Sequence, residues 1–328
     1  MKFYKYNGAG NDFLVSDGRE GGVHLDAEAI TRLCDRHYGV GADGVMILGP
    51  ASGGYDFTMD YYNSDGSGGM MCGNGGRCIV AFASFLGLSP SSPDGMWNFL
   101  APDGPHKAEI LRDEGLRKTV RLGMKDISVA RRYACLPSLG GASADALTGA
   151  APEEGTAGWF LDTGTRHFVR FVSEECLTAE YVAAKGRRLR WAEEFAPQGA
   201  NVNFVVKGNP LRVRTFEKGV EAETCACGTG ITASVAAACL EGVAPAWAEH
   251  GGKVLGYNVR ALNDDLSVEL APTPEAQALM KTGASSVAPK ANAFSQETSR
   301  AKDAPAPALF TSVWLTGPAT LVAEVNIL

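Results

Sequence analysis

Two stretches decide the architecture: MCGNGGRC at residues 71–78 and ACGTGITASVAAACL at residues 226–240. Each places a cysteine before Gly-X-Gly and then enters an apolar run of about three helical turns. A single Cys-Gly reads as a turn or a packed core residue. Two copies in the same setting read as an internal repeat. Each half also starts a strand after a small residue and an asparagine, GNDFLV at 10–15 and ANVNFVV at 200–206. The expected architecture is therefore α+β, with two similar domains and a strand-to-helix switch at each cysteine.

The surrounding sequence is mostly strands with glycine-rich turns. Residues 1–6 and 13–17 read as strands around a turn at 7–12, and YDFTMDYYN (55–63) alternates as a strand does. DAEAITRLCDRHYG (26–39) reads as an amphipathic helix capped by Asp26 and stopped by Gly39. WNFLA, HKAEILRD and LRKTVRLGM carry strands to residue 124. WFLDTG, HFVRFV, NVNFVVKG and LRVRTFEKG lead to the second cysteine, and GKVLGYNVRAL and LSVELA follow its helix. Residues 272–309, rich in Ala, Pro, Ser and Lys, show little periodicity and read as a low-complexity surface insertion.

With 328 residues the chain can form two domains, and 45% hydrophobic and 20% charged residues are those of a globular protein. A net charge of −7 gives no basic stripe for nucleic acid. The first residues lack the apolar core of a secretory signal, and no window is apolar for long enough to span a bilayer. The expected location is cytoplasmic, with no membrane partner. Eight cysteines are too sparse for a disulfide scaffold and are expected as thiols. With no CxxC pair and five scattered histidines, no metal site is expected.

A cysteine just ahead of a helix faces unpaired N–H groups and about half a positive charge. That setting is expected to lower a thiol pKa, and the same N–H groups bind a carboxylate. Two such units facing one another would hold one carboxylate between two thiols. One thiolate could then remove an α-proton while the opposite thiol returns one. Cys34, Cys78 and Cys239 fall within predicted helices and read as small core residues, whereas Cys225 is ambiguous. The rival reading from another class is a thiol redox or metal-binding protein using Cys72, Cys225 and Cys227.

NGAGNDF, YNSDGS, MCGNGGRC, GTRH, GANVNF, FEKGVEAETCACGTG and LTGPA occur in the order seen in bacterial diaminopimelate epimerases. The sequence resembles that family over nearly its whole length except 272–309. CGNG alone is less specific, since proline racemases show something similar. The resemblance implies two pseudo-symmetric domains, each a mostly antiparallel sheet or barrel curled around a central helix. It divides the chain into 1–125 plus 317–328, carrying Cys72, and 126–316, carrying Cys227. It implies epimerisation of LL- to meso-diaminopimelate without a cofactor, with Cys72 and Cys227 as paired acid and base. The partner is then that small molecule, and the one assembly admitted is a homodimer.

By the same resemblance, N–H groups of Gly73, Asn74, Gly228 and Thr229 hold the reacting carboxylate. Asn11, Asn63 and Asn201 contact the distal end of the substrate, Glu217 its ammonium, and His167 lies beside the site. Three positions depart from the family pattern. Lys218 stands where an arginine usually clamps the distal carboxylate, and a lysine lacks the planar two-pronged fork. Arg166 stands in place of proline and Thr165 in place of asparagine or serine. Two readings of Arg166 stand side by side: a solvated arginine, or a guanidinium that replaces the missing one from a neighbouring loop. A racemase of another amino acid is the alternative these departures raise.

Overall fold

The computed structural model describes residues 1–21, 23–69, 72–136, 139, 157–281 and 307–327. The first half contains β1 (Lys2–Gly8), β2 (Asn11–Asp17), α1 (Ala27–Cys34), β3 (Gly44–Gly49) and β4 (Phe57–Asn63). Then come α2 (Gly73–Phe85), β5 (Trp97–Ala101), β6 (Gly104–Glu114) and β7 (Arg117–Gly123). The second half contains β8 (Val129–Tyr133), β9 (Gly158–Asp162), β10 (Arg166–Phe171), α3 (Ala179–Leu189), β11 (Asn201–Val206) and β12 (Leu211–Glu217). It continues with β13 (Ala222–Thr224), α4 (Gly228–Leu240), β14 (Trp247–Glu249), β15 (Val254–Arg260) and β16 (Asp265–Pro272). The described chain closes with α5 (Pro274–Lys281) and β17 (Phe310–Asn326).

Strand pairing closes the first half into a barrel. Around it run β1, β2, β3, β4, β5, β6, β7 and β17, which returns to β1. Only β2–β3 and β4–β5 are parallel. The second half repeats that order as β9, β10, β11, β12, β15, β16, β17 and β8, parallel only at β10–β11 and β12–β15. Its last seam is a bridge between Ile127 and Phe310, with the Leu309 N–H donating to Ile127 O at 2.7 Å. The long strand β17 serves both rings, pairing with β16 up to Thr316 and with β7 and β1 from Gly317 onward. The fold is α+β with two pseudo-symmetric barrels, as expected.

Each barrel is filled by the helix that follows its cysteine. Every residue of α2 from Gly73 to Ala83 is buried, and in α4 only Thr229 escapes burial. A helix apolar on all sides can be satisfied only inside a core. α2 packs against β1, β2, β3, β6, β7 and β17, and α4 against β9, β10, β11, β12, β16 and β17. Cys34, Cys78 and Cys239 are buried core thiols in α1, α2 and α4.

Four local expectations change. The topology makes β2 the counterpart of β10, and β3 the counterpart of β11, so GNDFLV and ANVNFVV are not equivalent strands. The helix capped by Asp26 ends at Cys34, not Gly39, because the Asp35 carboxylate accepts the His37 and Tyr38 N–H groups, both at 2.7 Å. The elements not singled out in the sequence include β3, a short apolar run, and α3. The latter contains Gly186, where a Cβ would lie 2.4 Å from Phe216. Finally, the stretch read as a low-complexity insertion begins with the end of β16 and then α5. That helix buries Ala276 and rests Leu279 and Met280 on the second core. Residues 282–306 lie outside the described residues.

Candidate active site

Cys72 is the N-cap of α2, with φ −97° and ψ 151°, and its sulfur accepts the Gly75 N–H at 3.2 Å. Cys227 is the N-cap of α4. The two helix starts meet. A Cβ built on Gly228 would lie 3.5 Å from the Gly73 Cα and 3.0 Å from the Leu315 side chain. Glycine at both first helical positions lets the backbones approach this closely. The N–H groups of Gly73, Asn74, Gly228 and Thr229 belong to first turns, where no intrahelical carbonyl is available.

Asn74 joins the halves. Its Nδ2 donates to Asn11 Oδ1 at 2.5 Å and to the Ala226 carbonyl at 2.9 Å. Its Oδ1 accepts from Arg77 Nη2 at 2.9 Å. The guanidinium of Arg77 is fully buried and also donates to Gly73 O at 3.1 Å and Pro318 O at 3.4 Å. Asn11 in turn donates to Asp43, whose other oxygen accepts from Arg36. Cys225 lies under the β1–β2 turn, where a Cβ on Gly10 would overlap its side chain at 2.2 Å.

The distal candidates come from strand ends. Glu217 ends β12 and accepts the Thr224 hydroxyl at 2.9 Å. Asn201 uses its amide as a clip, donating to Arg166 O at 3.1 Å and accepting the Lys218 N–H at 2.7 Å. The segments carrying Arg166 and Lys218 are thereby held together, and the Lys218 side chain is exposed. Asn63, at the end of β4, donates to Ser67 Oγ at 3.0 Å. His167 has no exposed surface and sits behind Thr165 and Thr229.

Both thiols are harder to ionise than free cysteine, contrary to the sequence-based expectation. Burial is the main cause, and the Glu217 carboxylate adds to it for both. The Gly75 N–H and the Arg77 charge work in the opposite direction at Cys72 but do not win. The helix start supplies about half a charge, which is smaller than the cost of desolvating a thiolate. Glu217 is itself raised, first by burial and further by Asp43. Burial alone holds His167 neutral, pushed down to about 3.

A diaminopimelate epimerase family profile matches residues 3–124. A diaminopimelate epimerase of Chlorobaculum tepidum is 39% identical over 233 residues, covering 70% of this chain and 79% of that protein. One from Aquifex aeolicus is 38% identical over 255 residues, covering 74% and 83%. The chain belongs to the diaminopimelate epimerase family. Solved structures show the same fold at low identity. A phenazine biosynthesis protein of the PhzF family from Bacillus anthracis aligns with a TM-score of 0.63 at 13% identity, covering 100% and 99% of the chains. A hydroxyproline epimerase from Agrobacterium vitis aligns with a TM-score of 0.59 at 15% identity, covering 99% and 91%.

Within this diaminopimelate epimerase family member, sequence reasoning passed over Arg77, Asn203 and Asp43. Arg77 and Asn203 sit inside the quoted motifs MCGNGGRC and GANVNF. Nothing in the sequence marks them, because their importance comes from burial. Asn203 and Arg77 are both fully enclosed.

Proposed function

We propose that the chain interconverts LL- and meso-diaminopimelate by proton transfer between Cys72 and Cys227. The observation that carries this is the meeting of two cysteine-capped helix starts at Gly73 and Gly228. In this reading each barrel contributes one thiol, with the chain divided at residue 125 and again at residue 317. First-turn N–H groups of α2 and α4 take the carboxylate next to the reacting carbon. The thiolate on one face takes the α-hydrogen, forming S–H as the C–H bond breaks. The electron pair left on carbon spreads into the carboxylate, where the N–H groups stabilise the developing charge. The thiol on the other face delivers its proton to carbon and becomes the thiolate. No electron leaves or enters, and the two sulfurs exchange roles.

The electrostatics give substrate binding a part in this. Glu217 opposes ionisation of both thiols. A distal ammonium placed on Glu217 cancels that repulsion, so thiolate forms as substrate enters. Asn11, Asn63 and Asn201 shape the distal end, where Arg166 and Lys218 offer two cations to the second carboxylate.

The test is α-hydrogen exchange in deuterated water with LL-diaminopimelate. Wild type incorporates one solvent deuterium per turnover, and Cys72→Ser and Cys227→Ser lose at least about a hundredfold in rate. Turnover without deuterium at the α-carbon ends the proposal. The same assay on Arg166→Ala reads the distal end, since an unchanged KM would remove Arg166 from it. A racemase of another amino acid would turn over a single-centre substrate in preference to diaminopimelate. A thiol redox or metal protein would instead need bound zinc or a reversible disulfide for function.

A further inference from the structure

The hydrogen bonds behind Cys227 run in one direction. Asn203 Nδ2 donates to the Phe168 carbonyl at 3.3 Å, and its Oδ1 accepts the Thr215 hydroxyl at 2.9 Å. A flipped amide would set two carbonyl oxygens against each other at Phe168, so the orientation is fixed. The same Nδ2 faces His167 Nδ1 at 3.1 Å. An amide nitrogen cannot accept, so Nδ1 is the acceptor and the ring proton resides on Nε2. Nε2 lies 2.8 Å from Thr165 Oγ1 and 3.0 Å from Thr229 Oγ1.

The hydroxyls continue the sequence. Facing an N–H, Thr165 cannot donate to the ring, and its proton goes to Thr229 Oγ1 at 3.0 Å. Thr229 thus receives from Thr165 and His167, and its own proton points to Cys227 Sγ at 3.5 Å. Thr163 pins the Thr229 backbone by donating to its carbonyl at 3.1 Å. Gly230 makes the room, since a Cβ there would lie 2.3 Å from Asn203 Oδ1 and 3.2 Å from His167 Cε1.

We infer that Asn203, His167 and Thr165 are positioning residues that direct one Thr229 O–H at the Cys227 sulfur, making His167 a hydrogen-bond donor in a relay rather than a base for either thiol. Its neutral state accords with this, because the nitrogen without a proton already serves Asn203. Cys72 has a different set: the Gly75 N–H and the buried Arg77 charge. The groups that act on Cys227 are Glu217 from β12, Cys72 from the start of α2, and Thr229 and Gly230 of its own helix. Only Thr229 is reached by the relay. The relay therefore acts on Cys227 and not on Cys72, whereas Glu217 acts on both.

The inference rests on Cys227 being one of the reacting thiols, but its test needs no turnover. Iodoacetamide alkylation of the full-length protein is followed from pH 6 to 11 by peptide mapping, so that Cys72 serves as the internal control for Cys227. Thr229 is the second residue of α4, and Thr229→Val removes its O–H with little change of shape. Losing a hydrogen bond to a thiolate moves the Cys227 midpoint up by about one pH unit, a roughly tenfold slower reaction below it. The Cys72 midpoint stays in place, and Thr229→Ser restores Cys227. Asn203→Asp makes Nε2 an acceptor that takes the Thr229 proton, so it moves the Cys227 midpoint further in wild type than in Thr229→Val, where only its charge acts. An unmoved Cys227 midpoint in Thr229→Val overturns the relay, as does an equal movement at Cys72, a failure of serine to restore it, or an equal Asn203→Asp effect in both backgrounds.

Discussion

Glu217 has two opposed effects on the same chemistry. It is a partly buried carboxylate that raises both thiols and, in the proposed reading, the group that draws the ammonium in. Removing its charge separates the two. In Glu217→Gln the repulsion that disfavours thiolate is gone, so both cysteines ionise at lower pH than in wild type. At a fixed pH near 8 their alkylation becomes faster, by about threefold to tenfold for a partly screened charge. Catalysis moves the other way, because the distal ammonium loses its counter-charge. KM for diaminopimelate should rise at least about tenfold, the worth of a charged hydrogen bond. A variant with faster thiol alkylation and weaker substrate binding fits this account. Unchanged alkylation would mean that Glu217 does not face the thiols.

At the scale of elements, the feature that matters is the contact between α2 and α4. A methyl added at Gly228 must push on the Leu315 side chain and on the Gly73 backbone. Gly228→Ala therefore separates the helix starts by a few tenths of an ångström. The cost to stability is about 1 kcal/mol, typical of mild overpacking, whereas misplacing two facing acids can cost up to about a hundredfold in kcat. Thermal unfolding and steady-state kinetics on one preparation check this, and equal loss in both would refute it. Much of this contact was legible in the sequence, because Cys-Gly-X-Gly appears twice and each copy opens an apolar run. The strand repeat was read less well. Asn11 and Asn201 share a small-Asn-strand pattern, yet the order of pairing makes β2 the counterpart of β10 and β3 the counterpart of β11. Local sequence carries no signal of which partner a strand will take. The relay behind Cys227 was illegible for a similar reason, since Asn203, Thr165 and Thr229 are ordinary polar residues until the fold encloses them.

In the whole molecule, β17 makes one protein of two barrels, and Arg77 ties the first central helix to it. The guanidinium reaches from α2 to the carbonyl of Pro318, just past the point where β17 changes partners. A Cβ on Gly317 would lie 3.1 Å from Arg77 Nε, so the strand passes directly over the charge. Arg121 adds a second tie, pairing with Glu269 of the other barrel and resting on the Trp314 ring at 4.6 Å. Arg121 is partly solvated, but Arg77 is not, and burial lowers its own pKa. A buried cation is costly, and exchanging it for a well-packed apolar residue is often neutral or stabilising. Against this, Arg77→Met forfeits three hydrogen bonds to buried acceptors, each worth about 1 kcal/mol. The two contributions oppose, and unfolding in urea should place the variant within about 2 kcal/mol of wild type. The effect on chemistry has no such cancellation. Arg77 is a positive charge that favours the Cys72 thiolate, so its loss raises the Cys72 midpoint and leaves Cys227 nearly unmoved. The alkaline rise of kcat/KM should then move to higher pH, with kcat at pH 7.5 reduced about tenfold. If the variant instead unfolds readily and its thiols titrate as in wild type, the buried charge serves the joint between barrels and not the sulfur.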